Sequence, residues 1–250
     1  MGQWGFDERL RDQQSTTVLL WGPSGTGKSA TAEALGFEIG RPLKVMSISE
    51  LLSDGGSHGS RSGDTAINAA FKDAALMGAV IVIEGFESVV APAGRHGNGG
   101  GVSALALDQL MFEMDRFRGV VVVITTARQP FSQVCHTIDG DLLRRFKVLI
   151  ELAFPTQTQR AALWKQMIPK KAPVAKDIDF KHLGESFEFT GGQISRVVYR
   201  AAARAAVRPL RRAGGGGGQK IEMDDFVRSA QDEESKTIGD MEKMVQQWFL

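Results

Sequence analysis

"GPSGTGKS", residues 22–29, is the stretch on which the fold turns. It matches G-x-x-x-x-G-K-[ST] and directly follows the apolar run "VLLW" at 18–21. Gly22, Gly25 and Gly27 let the backbone curl so that amide N–H groups face phosphate oxygens, where a Cβ would obstruct. Pro23, Ser24 and Thr26 complete the curl. Lys28 brings a cation to the β- and γ-phosphates, and Ser29 offers a hydroxyl to Mg²⁺. The helix that follows, "SATAEALGFEI", aims its positive N-terminal end at the same anion. Average residue usage yields such a match by chance in roughly one chain of this length in a hundred. A strand before it and a helix after it leave phosphate binding as the reading.

Outward from the loop, short apolar runs alternate with amphipathic stretches. "VLLW" (18–21), "LKVMSI" (43–48), "VIVI" (80–83), "VVVVIT" (120–125) and "KVLIEL" (147–152) read as strands. Most are continuous rather than alternating, as strands buried on both faces of a parallel sheet must be. Between them, Ile67, Ala70, Phe71 and Ala74 follow helical spacing, as do Leu107, Leu110, Met111, Met114 and Phe117. The pattern predicts a doubly wound α/β domain with a five-stranded parallel sheet over residues 1–153. After Pro155 only helices are expected: one over 156–167, another with Ile194, Val197, Val198 and Ala201 on its apolar face, and a last one N-capped by Asp224. Residues 154–250 therefore read as a small all-α domain, with a Gly-rich loop at 214–218.

Composition sets the bounds. The chain has 250 residues, a hydrophobic fraction of 42%, 24% charged residues and a net charge of +1, so no global pull toward nucleic acid or membrane is visible. "RPLRR" (208–212) is too small a basic cluster to change that, and reads as a solvated turn. The single cysteine, Cys135, excludes an intrachain disulfide and suits a reducing, intracellular setting; cytoplasm is the expectation, with organelle targeting left open. The first fifteen residues are polar and charged, and no apolar run approaches the ~20 residues of a membrane span. A P-loop this near the start suggests a chain cut from something larger.

With the P-loop placed, later segments fall in an order that resembles the AAA+ ATPases over nearly the whole chain. "VIVIEGFE" sits where that family keeps its Walker B strand, and "VVVVITTARQ" resembles the sensor-1 strand. "IDGDLLRRFKVLIEL" is similar to the segment with arginine fingers, "PTQTQRAALW" to the entry into a helical lid, and "TGGQISR" to the sensor-2 helix. "WGFDERL" (4–10) resembles the segment near the adenine. The resemblance implies ATP and Mg²⁺ as ligands, Ser29 and Glu84 on the metal, and a hexameric ring in which Arg144 or Arg145 reaches a neighbour's site. A cation on the γ-phosphate in the transition state can be worth ~10³–10⁵ in rate. The two arginines are adjacent here, where the family's pattern separates them, which leaves open which one reaches. Arg196 is the candidate sensor-2 cation, one residue past the expected position, Ser195, a rotation of ~100° on a helix that leaves its facing open.

Three departures bear on chemistry. The family's strand ends Asp-Glu; here Glu84 is followed by Gly85, which cannot act on water. Losing a general base costs ~10²–10⁴-fold. Glu87 is the nearby substitute, alongside the reading of a helix-start charge, and Glu84 itself is the other candidate. The sensor-1 asparagine position is Ala127, with the Thr126 hydroxyl a candidate to orient water. The expected pore loop, "DGGSHGSRSGD" (54–64), offers no aromatic except the ring of His58, and "GRHGNGGG" (94–101) reads as a loop. Two functions from different classes follow. One is an ATPase coupling slow hydrolysis to remodelling of an unidentified protein client. The other is a nucleotide-binding assembly module with little or no turnover. A small-molecule phosphotransferase fits poorly with the helical tail and the arginine pair. The apolar face of Met241, Met244, Val245, Trp248 and Phe249 reads as a docking face for the protein's own surface or for a partner.

Overall fold

Runs of β-branched residues become strands where a sheet can bury both of their faces. In the computed structural model, which describes residues 15–53, 62–90, 104–208 and 220–248, five such runs form one parallel sheet. In chain order come β1 (Thr16–Gly22), α1 (Lys28–Glu38), β2 (Leu43–Ser47), α2 (Ile48–Ser53), α3 (Ser62–Met77), β3 (Val80–Glu84) and α4 (Glu87–Val90). Then follow α5 (Ala104–Arg116), β4 (Val120–Thr126), α6 (Phe131–Val134), α7 (Gly140–Leu143) and β5 (Val148–Glu151). The spatial order is β2-β3-β4-β1-β5. This is the five-stranded, doubly wound α/β architecture of a P-loop protein.

Alternation along the strands divides the core into two layers. Leu19, Trp21, Ile81, Ile83, Val121 and Val123 cluster with Ile67 and Phe71 of α3 and Leu110 and Met114 of α5. On the opposite face Val18, Leu20, Val82, Val122 and Ile124 meet Ala32 and Leu35 of α1. Burial on both faces holds for the central strands β1, β3 and β4. It fails at the edges, where Val45 of β2 and Val148, Leu149 and Ile150 of β5 are exposed. Ile48 opens α2 instead of ending β2, and residues 62–64 of the expected pore loop belong to α3.

The chain divides into two compact units, Met1–Ala153 and Phe154–Leu250. The second holds α8 (Gln157–Gln166), α9 (Phe180–Ser186), α10 (Gly191–Val207) and α11 (Met223–Trp248) around Trp164, Leu183, Ile194, Val197 and Phe226. Thr156 and Thr190 each close a capping box, with Gln159 and Gln193 respectively. Three details differ from the sequence reading. The seven-residue α9, capped by Asp179, is too short to show a periodic face. A single parallel bridge, Val174 to Ile221, interrupts an otherwise helical unit. Asp224 lies inside the first turn of α11 rather than capping it; the reciprocal contact comes from Asp225, whose carboxylate accepts the Glu222 N–H at 2.9 Å.

Residues 4–10, His58 with the rest of 54–61, 94–101, 209–212, 214–219 and Phe249 lie outside the described residues, as do the side chains of Met241, Met244, Val245 and Trp248. Among the described residues no helix is long and apolar enough to cross a membrane.

Candidate functional site

The site is assembled where β1, β3 and β4 end. β1 gives way to the loop at Gly22, where a Cβ would stand 2.2 Å from the Leu152 carbonyl oxygen, so no larger residue fits. Gly22, Gly25 and Gly27 all have positive φ. Gly27 precedes α1 with no side chain to cap it and no acid in the first turn, leaving the helix's leading N–H groups to an anion. Lys28 is only 6% exposed. Its ammonium donates to the carbonyls of Gly22 at 2.8 Å and Pro23 at 2.6 Å, closing the loop around the cation. The Thr26 hydroxyl braces the same turn through the Pro23 carbonyl at 2.9 Å. Burial pushes the Lys28 pKa below its ordinary value, and the negative charge of Glu87 pulls it back up.

The Ser29 hydroxyl donates to Glu84 Oε1 at 2.7 Å, so the two predicted metal ligands are together. A hydroxyl and a carboxylate oxygen are hard donors, and Mg²⁺ binds through few protein oxygens while keeping several waters. The pair fits that ion.

Gly85 has a φ of +80°. A Cβ there would stand 3.3 Å from Ile48 Cγ2, at the start of α2 where β2 ends. Phe86 is fully buried and its N–H reaches the Ile124 carbonyl of β4 at 3.3 Å. Burying a phenylalanine is worth about 1.5–3 kcal/mol, which exceeds the ~0.5–1 kcal/mol entropic cost of a glycine, so the anchor fixes the turn. Glu87 then opens α4, and its carboxylate accepts the main-chain N–H of Thr126 at 3.3 Å. Thr126 faces Gly22 across the β1–β4 ladder, and the Gly22 carbonyl also accepts the Ala127 N–H at 3.0 Å. The structure thus brings Glu87, Thr126, Gly22, Lys28, Ser29 and Glu84 to one end of the sheet. Thr125, next to Thr126, is buried, and its hydroxyl has no hydrogen-bond partner among the described residues.

The arginine pair lies at the other end. The Arg145 carbonyl accepts the Thr17 hydroxyl, and the Lys147 N–H donates to the Thr17 carbonyl at 3.0 Å. From Thr17 to Gly22 the strand climbs about 16 Å, beyond the reach of an arginine side chain. Neither arginine can serve the P-loop of its own chain. They also differ: Arg145 is 38% exposed and paired with Asp115 of α5, whereas Arg144 is 83% exposed and pairs, among the described residues, with Asp141 at 3.3 Å.

Arg196 is engaged within the helical unit. Its Nε and Nη2 both contact Glu233 Oε1, at 2.9 and 2.6 Å, and Arg200 meets Oε2 at 2.7 Å. Glu233 is only 5% exposed, and these pairs tie α10 to α11. Arg208, first of the basic "RPLRR" cluster, pairs with Glu222 and Asp225. Sequence reasoning also missed Ile48 and Phe86, which steer the turn at Gly85, and the main chain of Thr126, where it had considered only the hydroxyl. The buried large apolar residue between two acids was the available signal for Phe86.

A model of the ATPase family associated with various cellular activities (AAA) matches residues 18–154. The chain is 32% identical over 198 residues to an ATP-dependent zinc metalloprotease FtsH of Aster yellows witches'-broom phytoplasma, covering 76% of this chain and 28% of that protein. It is 28% identical over 237 residues to an FtsH 3 of Symbiobacterium thermophilum, covering 91% of this chain and 36% of the other. Against the peroxisomal ATPase PEX1 of Cricetulus griseus the identity is 30% over 202 residues, 77% of this chain and 15% of that one. The chain therefore spans well under half the length of each of these relatives.

Proposed function

The chain belongs to the AAA ATPase family, and from that premise we propose that it binds ATP with Mg²⁺ at Gly22–Ser29, hydrolyses it slowly and couples the cycle to remodelling a protein client. The observation that carries the reading is the Ser29–Glu84 pair at 2.7 Å beside a buried Lys28 at the foot of an uncapped helix. In this reading the curled amides and the α1 terminus hold the polyphosphate, Lys28 neutralises its distal end, and Ser29 and Glu84 hold Mg²⁺. The metal, when bound, supplies positive charge to phosphate oxygens. Arg144 serves the site of another copy. Its exposure and its separation from its own P-loop support that reading, and with it a ring, hexameric by the family resemblance.

The second reading, a nucleotide-binding assembly module, draws on Gly85 in place of a carboxylate. Phosphate release measured with Mg²⁺ across a range of protein concentrations separates the two. Turnover that climbs with concentration and disappears in Lys28→Ala, Glu84→Gln and Arg144→Ala supports the ATPase. Binding of ATP by calorimetry with no release above the Lys28→Ala background would leave the assembly module.

A further inference from the structure

Resting on the hydrolytic reading above, we propose that Glu87 is the general base for water, displaced from its customary place beside Glu84 and aimed by the main-chain N–H of Thr126. Direction within the sheet carries this assignment. From β3, the neighbours are β2 on one side and β4 on the other, with β1 and its P-loop beyond β4. A Cβ on residue 85 would stand 3.3 Å from Ile48 Cγ2, on the β2 side of β3. Glu87 goes the other way: its carboxylate lies on Thr126 of β4, which stands opposite Gly22, the residue whose carbonyl holds Lys28. The opposing pulls on Lys28 agree, since the charge of Glu87 is felt at that ammonium. Glu84 is already committed to the Ser29 hydroxyl. Glu87 is exposed, so water has access to it.

The reaction balances without a further reactant. As the water oxygen bonds to the γ-phosphorus, its proton passes to a Glu87 carboxylate oxygen. The bond from that phosphorus to the bridging oxygen breaks, and ADP leaves with the electron pair. Glu87 then returns the proton to solvent.

The test uses Glu87→Gln, which keeps size and shape at an exposed position, with thermal unfolding to verify folding. ATP–Mg²⁺ affinity by calorimetry is expected to stay within about threefold. Phosphate release falls ~10²–10⁴-fold, the cost of losing a base. Nucleotide recovered from the incubated variant and separated by ion exchange is ATP, where the wild type yields ADP. The acid limb of the wild-type kcat–pH profile is absent in Glu87→Gln and partly restored in Glu87→Asp. Turnover in Glu87→Gln within threefold of wild type, or an acid limb removed by Glu84→Gln and kept in Glu87→Gln, overturns the assignment and leaves the hydrolytic reading standing. Wild type that binds ATP and releases no phosphate above Lys28→Ala overturns both.

Discussion

Restoring a glutamate at residue 85 is the sharpest perturbation the structure offers, because likeness to the family and local geometry predict opposite results. By likeness, Gly85→Glu repairs the site and raises turnover. By geometry it does neither. The φ of +80° places residue 85 in the left-handed region, which costs a side-chain-bearing residue about 1–2 kcal/mol. The new Cβ meets Ile48 Cγ2 at 3.3 Å, and Ile48 is packed in the core, so its displacement adds up to about 1 kcal/mol. Removing a glycine from the unfolded chain returns about 0.5 kcal/mol. The net loss is about 0.5–2.5 kcal/mol, or a midpoint lowered by about 1–10 °C for a domain of this size. Thermal unfolding of Gly85→Glu and Gly85→Ala measures it, and the alanine variant carries the backbone cost without a carboxylate. Phosphate release from Gly85→Glu is expected not to exceed wild type, and Gly85→Glu combined with Glu87→Gln is as slow as Glu87→Gln alone. A double variant with near wild-type turnover and an unchanged midpoint would refute the reasoning, for then position 85 does face the phosphates.

Other expectations rest on separate observations. Arg144→Ala should leave the unfolding midpoint within ~0.5 kcal/mol of wild type, as an exposed residue does, while reducing release at high protein concentration by ~10³-fold or more; Arg145→Ala, which loses Asp115, shows the milder kinetic loss. For Lys28 the pKa is depressed in the folded state, so between that value and the ordinary one the unfolded chain holds the extra proton and stability rises with pH across that window. A bound polyphosphate reverses the depression, and calorimetry in buffers of different ionisation enthalpy should show proton uptake on ATP binding as pH enters the window, absent in Lys28→Met. In the helical unit, Arg196→Ala costs under about 1 kcal/mol because Arg196 is half-exposed and Arg200 still pairs with Glu233. Removing both arginines takes two cations away from a buried carboxylate and costs about 3–5 kcal/mol by chemical denaturation.

The strands were legible because a continuous β-branched run has few alternatives once turn signals bound it, and β1, β3 and β4 satisfy that rule on both faces. β2 and β5 show where the inference from pattern to burial stops: an edge strand carries the same residues, and only the sheet order tells that Val45 and Ile150 lie at the edges, where they are exposed. The P-loop was legible for a stronger reason, since its contacts are local. Lys28 bonds to carbonyls five and six residues back. Two of the other candidate residues depend on partners far along the chain. Arg145 is held by Asp115, thirty residues earlier, and Arg196 by Glu233, thirty-seven residues later; no spacing within one helix announces either. Glu87 lies between these cases. Its distance from Glu84 was plain in the sequence, but three residues of chain can end in any direction. One left-handed glycine, blocked on its β2 side by Ile48, and one phenylalanine sunk beneath β4 turn that distance into a bearing. The missing acid of the strand and the acid of the next helix are therefore linked: the left-handed turn that disfavours a side chain at 85 is the turn that brings Glu87 to Thr126.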